Sequence, residues 1–517
     1  RSTQSRSSAA SDVYKRQIIT NKDKNDLTRA DLIKVMLEKN IEKITLHYTG
    51  IDGKIKELKI PVTNRLQAEL VLAEGERVDG SSLFKGIVEV GQSDLYVVPL
   101  YRSAFINPFD NTSLDFVARF FDRDGNLASF VPDNILHKAA NKLFEKHGYE
   151  LHTLGELEFY LLGNFDNKSY ALPKQKGYHA SPPFAKTGHI LNEMLKYMTQ
   201  ITGNVKYAHN EVGSLDYVKS DFPELNGKSA EQVEIEFLPT NVEDSADNLV
   251  IGSWIIRNVA YKHGFVATFF PKLEQGHAGN GLHIHMALLK NGKNIMTDES
   301  GELSEESLKL IGGLCHYAPS LTAFGNMVSA SYLRLVPNQE APTKVCWSDS
   351  NRSALIRVPL AWTKAKNLAQ KINPAQKEPL NYENSRQTVE LRSPDGSANA
   401  HLLLSGITMA VEWGLSNAKN SIDIAKMCKV SGNIQNSPNF SELTELATSC
   451  AESSEKLLQQ KDLYERDNIF PSQVINYVAK LLQSENDRYL NSRLLAMAEE
   501  EQIIESRRIM HRDIHRC

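Results

Sequence analysis

The sequence predicts an α+β protein in which a small sheet-rich unit precedes a much larger one, and three observations predict it. The 517 residues exceed what one ordinary hydrophobic core fills. Apolar alternation, the period of a half-buried strand, dominates the stretch up to residue 127. Beyond it strand and helix periods mix without alternating one for one until about residue 410, and the last 80 residues read as helices throughout.

Residues 1–17 (RSTQSRSSAASDVYKRQ) are rich in Ser and Arg, lack an apolar h-region, and read as a sequencing-adaptor scar. The small unit is expected over 18–127. In it Thr28, with Asp31 three residues on, opens a short helix carrying Leu32, Val35 and Met36 on one side. Ile44, Leu46 and Tyr48, then the Asp52-Gly53 turn, then Ile55, Leu58 and Ile60 make a hairpin. Strands follow at Leu95 to Leu100 and at Leu114 to Phe121. The large unit is expected over 128–517, with a helical C-terminal region. Val131-Pro132-Asp133 reads as a linker followed by an N-cap, and Ile135, Leu136, Ala139, Leu143 and Phe144 repeat at helical spacing until Gly148 stops them. Further helical patterns lie at about 187–202, 243–264, 304–324 and 399–417. The basic ending RRIMHRDIHRC fits a frayed helix end or a second junction artefact equally well.

Apolar residues at 41% and charged residues at 24% are globular values that exclude wholesale disorder and a fibrous repeat. No run approaches the roughly 20 apolar residues that span a bilayer, so no membrane is expected. Lys and Arg number 59 against 63 Asp and Glu, a net charge of -4 without a basic block, so nucleic acid is not an expected partner. Cys315, Cys346, Cys428, Cys450 and Cys517 are scattered and never form C-x-x-C, which fits a reducing cytoplasm rather than a disulfide scaffold or thiolate zinc site.

The chemical signal is a two-residue rhythm in ionisable residues, which strand geometry turns into one face. LGELEFYLL presents Glu156 and Glu158 together, with Leu157 and Phe159 on the other side. QVEIEF repeats this with Glu234 and Glu236, GLHIHMALL with His283 and His285, and TVELRSP with Glu390 and Arg392. A wet outer strand face explains any one such pair. Four together favour a charged interior, because solvated faces mix Lys, Thr and Ser rather than concentrating metal- and phosphate-binding types.

Carboxylates packed together are costly unless cations neutralise them, and oxygen-rich ligation with one or two imidazoles suits Mg²⁺ or Mn²⁺ rather than zinc or copper. Such cations bridge nucleotide phosphates, which the planar fork of arginine reads. The candidates are Arg334 in SYLRLVPNQEAP and Arg352 and Arg357 in SNRSALIRVP, each of which alone reads as a surface arginine. GHAGNGLHIH, with Gly276, Gly279 and Gly281, and VDGSSLFKG, with Asp79, Ser81 and Ser82, are turns; neither is a Walker loop or a dinucleotide fingerprint.

Taken in order, VDGSS, GELEFYL, HNEVG, EQVEIEF, VATFFPK, AGNGLHIHMAL, SYLRLVPNQEAP, NRSALIRVP and VELRSPDGSAN resemble the motif series of type I glutamine synthetases, from about residue 40 to about 410 and more weakly to the tail. The resemblance implies a small N-terminal β-grasp domain followed by a large catalytic domain with a curved antiparallel sheet and flanking helices. It implies a cytoplasmic dodecamer of two stacked hexameric rings, with each active site between neighbouring subunits. The implied reaction joins ammonia to the γ-carboxylate of glutamate through γ-glutamyl phosphate, using ATP as cosubstrate and Mg²⁺ or Mn²⁺ as cofactor.

By the same resemblance, Glu158, Glu211 and Glu234 match the first cation site, and Glu156, His283 and Glu390 the second. Arg334, Arg392 and the backbone of Gly279 match the glutamate-binding residues, with Ser82 also on the substrate side. Arg352, Arg357 and His285 match the ATP side, with Arg352 also steadying the transferring group. Glu340 matches a flap carboxylate, and Asp79 the acid that reaches a neighbouring subunit's site to bind ammonium and take its proton.

Departures from the pattern are Ala278-Gly279-Asn280-Gly281 where Asn-Gly-Ser-Gly is common, Ala330 before the Ser-Tyr pair, and Ala287 after the His pair. An Ala-Gly loop also occurs in relatives that ligate glutamate to amines, which keeps a polyamine or ethanolamine ligase open beside the ammonia reading. A non-catalytic nitrogen-sensing oligomer is the other alternative. No Asn-Leu-Tyr-Asp-Leu-Pro segment is present, so adenylylation there is not expected.

Overall fold

The computed structural model describes residues 22–88, 93–165, 169–171, 173–336, 341–360, 365–382, 384–432, 434, 437–512 and 514–516. The adaptor-like segment 1–17 and Glu340 therefore lie outside the described residues.

Helix α1 (Arg29–Glu38) starts at Thr28 with both bonds of a capping box to Asp31, and buries Leu32, Ile33, Val35 and Met36. The expected hairpin forms from β1 (Lys43–Thr49) and β2 (Ile55–Pro61), with Ile44 opposite Ile60 and Leu46 opposite Leu58. Next come α2 (Arg65–Glu74), β3 (Glu76–Asp79), α3 (Gly80–Leu83), β4 (Asp94–Pro99), β5 (Phe105–Ile106) and β6 (Ser113–Phe121). β1 lies parallel to β6, giving the order β2-β1-β6-β4-β3 with β5 on β6, the β-grasp arrangement. α2, β3 and β5 went unseen in the sequence, although α2 buries Ala68, Val71 and Leu72 at helical spacing.

Helix α4 (Pro132–His147) corrects the expected N-cap. Pro132 occupies its first turn, Val131 is the cap without a side-chain bond, and Asp133 is buried inside the helix. Asp133 instead meets the Arg119 guanidinium of β6 at 3.2 Å. Phe144, expected on the apolar side, is exposed. Gly148 ends the helix in the left-handed conformation, φ 67°.

The larger domain continues with β7 (Glu150–Gly163), α5 (Gly188–Thr202), β8 (Val205–Leu215), β9 (Ser229–Phe237), β10 (Thr240–Asn241), α6 (Val242–Lys262), β11 (Val266–Thr268), β12 (Ile284–Lys290), β13 (Lys293–Asn294), α7 (Glu305–Gly325), α8 (Ser331–Arg334), β14 (Trp347–Asp349), β15 (Ile356–Val358) and β16 (Val389–Leu391). Its curved sheet runs β14-β15-β16-β12-β7-β9-β8, with shorter strands on β7 and β12. Helices α9 (Ala400–Ser416) and α10 (Ala418–Met427) pack on α7, and α9 also packs on α4. The remaining helices are α11 (Cys450–Gln459), α12 (Lys461–Glu465), α13 (Ser472–Gln483), α14 (Leu490–Leu495) and α15 (Glu499–Arg512). The ending is thus not helical throughout: between α10 and α11 the described residues hold a short turn at Phe440–Glu442 and isolated bridges at Lys429 and Glu445, with no α-helix.

Arg119 ties the two domains together. Its Nη2 lies 2.7 Å from Asp247 of α6, and His401 of α9 stands 3.1 Å from the other oxygen of Asp247. No helix among the described residues is long and apolar enough to cross a membrane.

Candidate functional site: an acidic, imidazole-lined sheet face

Strand β7 supplies the centre. Its apolar residues Leu157 and Phe159 are buried on one side, which forces Glu156 and Glu158 to the other. On the adjacent β9, Glu236 stands opposite Glu156 and Glu234 opposite Glu158. β8 adds His209 opposite Glu234, and its register shifts between Asn210 and Ser214, where Glu211 sits. Such a bulge re-aims the side chains within it. From the other side, His285 of β12 pairs with Glu390 of β16, and Glu390 with Arg357 of β15.

His283 Nδ1 lies 2.6 Å from Glu156 Oε2 and 3.8 Å from oxygens of both Glu158 and Glu390. His285 Nε2 lies 2.9 Å from Glu156 Oε1 and 3.8 Å from Glu390. His209 spans Glu234 at 3.4 Å and Glu211 at 3.7 Å. Four triads place one ligand atom from each member within 4.8 Å of the others: Glu156–His283–Glu390, Glu156–Glu158–Glu234, His209–Glu211–Glu234 and Glu156–Glu236–His285. The set expected for the second cation converges as one triad. The set expected for the first is spread over two triads that share Glu234, with Glu158 in one and Glu211 in the other.

The electrostatics match a face built for cations. Burial, then the nearby Glu158, raises Glu211 to about 7. Burial also raises Glu234 to about 8, with Glu156, Glu158 and Glu211 adding repulsion against the relief from His209. Burial pushes Glu156 up too, but the two imidazoles outweigh it and hold that carboxyl well below its usual range. Glu236 Oε2 is buried without a hydrogen-bond partner, while its other oxygen accepts from Lys206 Nζ at 2.7 Å. These donors fit hard divalent ions.

The arginines border this face. Arg392 is buried, donates through Nε to the Arg352 carbonyl at 2.8 Å and pairs with Glu390. Arg357 donates to Glu390 at 2.8 Å and keeps its buried Nε without a partner, a donor fit for an anion. Arg334 is only 5% exposed and donates to the carbonyls of Ser393 and Arg392. Arg352 is exposed. Asp79 and Ser82 lie apart from the cluster in the β-grasp domain, where Asp79 accepts from Ser81 and Ser82 at 2.6 to 2.9 Å. Hydroxyl donation from Ser82 and Ser81 holds Asp79 down to about 2.

The glycine loop is held tightly despite its departures. Ala278 donates to Gln175 Oε1 and accepts from the Tyr160 hydroxyl, both at 2.8 Å. The fully buried Asn280 amide donates to the carbonyls of Phe270 and Thr268 and accepts from Gln232 Nε2 at 3.0 Å. Gly281 N–H donates to Glu158 at 2.7 Å. The sequence put Glu236 on the charged face without a ligand role, marked Asn280 only as a departure, and assigned His209 and Gln232 no role. The H-x-E spacing of His209 and Glu211 was the available signal for His209.

A β-grasp domain ahead of a curved sheet, with carboxylates and imidazoles gathered on one sheet face, defines a two-domain α+β protein suited to hard divalent cations. The chain belongs to the glutamine synthetase family: the model "Glutamine synthetase, catalytic domain" matches residues 130–494 and "Glutamine synthetase, beta-Grasp domain" matches 40–122. The glutamine synthetase of Pyrococcus horikoshii is 33% identical over 388 residues, 74% of this chain and 76% of that protein. That of Mycobacterium bovis is 29% identical over 432 residues, 77% and 82% of the two chains. The Plasmodium falciparum glutamine synthetase structure superposes with a TM-score of 0.70 at 21% identity, covering 90% of this chain and 97% of that one. A GmaS/ADP complex gives 0.68 at 19%, covering 91% and 98%. At these identities the two structures speak for the fold.

Proposed function

We propose that this protein ligates ammonia to the γ-carboxylate of L-glutamate, consuming ATP and passing through γ-glutamyl phosphate. The observation that carries the reading is the convergence of Glu156, Glu158, Glu234, His283 and Glu390 beside Arg357 and Arg392.

The chemistry needs these types. A carboxylate resists attack by ammonia, so its oxygen is first phosphorylated, and two anions must meet. Mg²⁺ or Mn²⁺ held by Glu158, Glu211 and Glu234 and by Glu156, His283 and Glu390 would supply the countercharge. Arg352, Arg357 and His285 receive the ATP phosphates, the unpartnered Nε of Arg357 being a free donor for an oxyanion. Arg334, Arg392 and the Gly279 backbone hold glutamate. Asp79, anionic at neutral pH, attracts ammonium and accepts its proton from a neighbouring subunit's site, with Ser82 beside it. Glu340 closes the flap and keeps water from the acyl phosphate. The assembly in this reading is a cytoplasmic dodecamer of two hexameric rings, and the division 18–127 and 128–517 separates its domains.

By resemblance, the Ala278-Gly279 loop keeps one alternative open, an alkylamine as acceptor, while the Asp79-Gly80-Ser81-Ser82 turn and Glu340 weigh for ammonia. Phosphate release with glutamate and ATP decides between them. Ammonium-dependent release with glutamine as product supports the proposal. Release that ignores ammonium and responds to putrescine or ethanolamine moves the assignment to an amine ligase, and binding of ATP and glutamate without product makes the protein a sensor.

A further inference from the structure

Two of the elements that carry residues proposed to hold glutamate are the loop 271–281, with Gly279, and α8, with Arg334. The C-terminal helix and the residues after it reach both. His511, 1% exposed, places Nε2 2.9 Å from the Leu273 carbonyl and Nδ1 2.9 Å from the Ser220 hydroxyl. A carbonyl can only accept, so Nε2 carries the proton, and Nδ1 is left to accept from Ser220. Arg507 of α15 forks onto both oxygens of Glu274 at 2.9 and 3.2 Å. Thr268 donates to the Ile514 carbonyl at 2.8 Å, and Met510 and Ile514 are buried in the main core.

The second arm runs through Glu485. It pairs with Arg512 at 2.9 Å and with Arg516, while accepting from the N–H and hydroxyl of Ser329 at 3.2 and 2.8 Å. Ser329 immediately precedes the turn into α8. Inside the loop the fixing continues: Lys272 Nζ donates to the His277 carbonyl at 2.5 Å, and Asn280 N–H donates to the Pro271 carbonyl at 3.0 Å. Gly279 packs closely against both elements, since a Cβ there would come within 2.5 Å of the Pro271 oxygen and 3.2 Å of Arg334 Cγ.

We infer that α15 and residues 514–516 form a strap that positions the loop 271–281 and α8, with His511 and Glu485 as its positioning residues. Its catalytic meaning rests on the glutamate-ligase reading; the mechanical linkage does not.

Two readouts separate them. Hydrogen exchange of the loop amides in the full chain is expected to quicken about tenfold or more in His511→Ala while β7 and β9 stay protected. The KM for glutamate is expected to rise about tenfold with that for ATP within about twofold, because small misplacements near one substrate cost far more than they do elsewhere. His511→Gln, which keeps an N–H for the Leu273 carbonyl, should recover most of both. If His511→Ala does not fold, Arg507→Ala is measured in the same way. Unchanged loop exchange in the folded variant overturns the strap, and an equal rise in both KM values overturns its part in holding glutamate. Wild-type protein that makes no glutamine overturns the ligase reading alone, since exchange still judges the strap.

Discussion

Glu158 on β7 stands directly opposite Glu234 on β9, and Glu156 and Glu236 repeat the pairing two residues along. Like charges directly opposite in a ladder are destabilising, so this face stores repulsion that a cation can release.

Replacing Glu234 by Gln should therefore have opposite effects with and without metal. In chelator above about pH 8, where Glu234 is ionised, the variant should be more stable than wild type by about 1 kcal/mol, the scale of one cross-strand like-charge contact. In Mg²⁺ or Mn²⁺ it should gain less stability from the ion and bind it more weakly. Calorimetry in the two buffers checks this, and a variant that is less stable in chelator contradicts it.

The same carboxyls fix a pH dependence. Burial raises Glu211 and Glu234 from 4.5 to about 7 and about 8, so between these values the folded chain holds more protons than the unfolded one. Stability of the metal-stripped protein should then fall as pH climbs from about 4.5 to about 8. Asp247, held low by Arg119 and His401 against its burial, acts in the other direction, but only below the usual carboxylate range. Added divalent ion, which binds the deprotonated form, should flatten the fall. Thermal melts across that range decide it; a chelated protein that grows more stable over the interval is the adverse result.

Arg357 offers a sharper test of the anion side. Lysine keeps the charge but lacks the fork and the buried Nε–H. Arg357→Lys should cost about 10²-fold in kcat/KM for ATP, the usual toll of one preorganised donor, with little change in melting temperature. Steady-state kinetics with a melting control would read this, and kinetics within a factor of two of wild type would argue against a phosphate role.

Asn280→Ala should be structurally expensive. It strips partners from Gln232 and from the carbonyls of Phe270 and Thr268 at a site with no access to water, at a cost of about 2–4 kcal/mol. Denaturant unfolding measures the loss. Asn280→Ser, too short to reach both sides, should fall between.

Much of this was legible in the chain because local chemistry wrote it. The Thr28–Asp31 capping box, the Asp52-Gly53 hairpin and the glycine stop at Gly148 are read from a few adjacent residues, as is the shared direction of Glu156 and Glu158 on one strand. What was missed depends on register or on distant partners. Glu236 matters because β9 meets β7 with Glu236 opposite Glu156, and no spacing within QVEIEF states that. Asp133 resembles an N-cap until Arg119 arrives from another domain. The basic tail left a frayed end and a junction artefact both open because its partners, Leu273, Glu274 and Glu485, lie far back in the chain.

Glutamate carrying ¹⁸O in its γ-carboxylate tests the central chemistry most directly. Incubated with ATP, Mg²⁺ and ammonium, the protein should release phosphate bearing one labelled oxygen for each glutamine formed, because the carboxylate oxygen leaves with the phosphoryl group. Unlabelled phosphate, or labelled phosphate without glutamine, would contradict it.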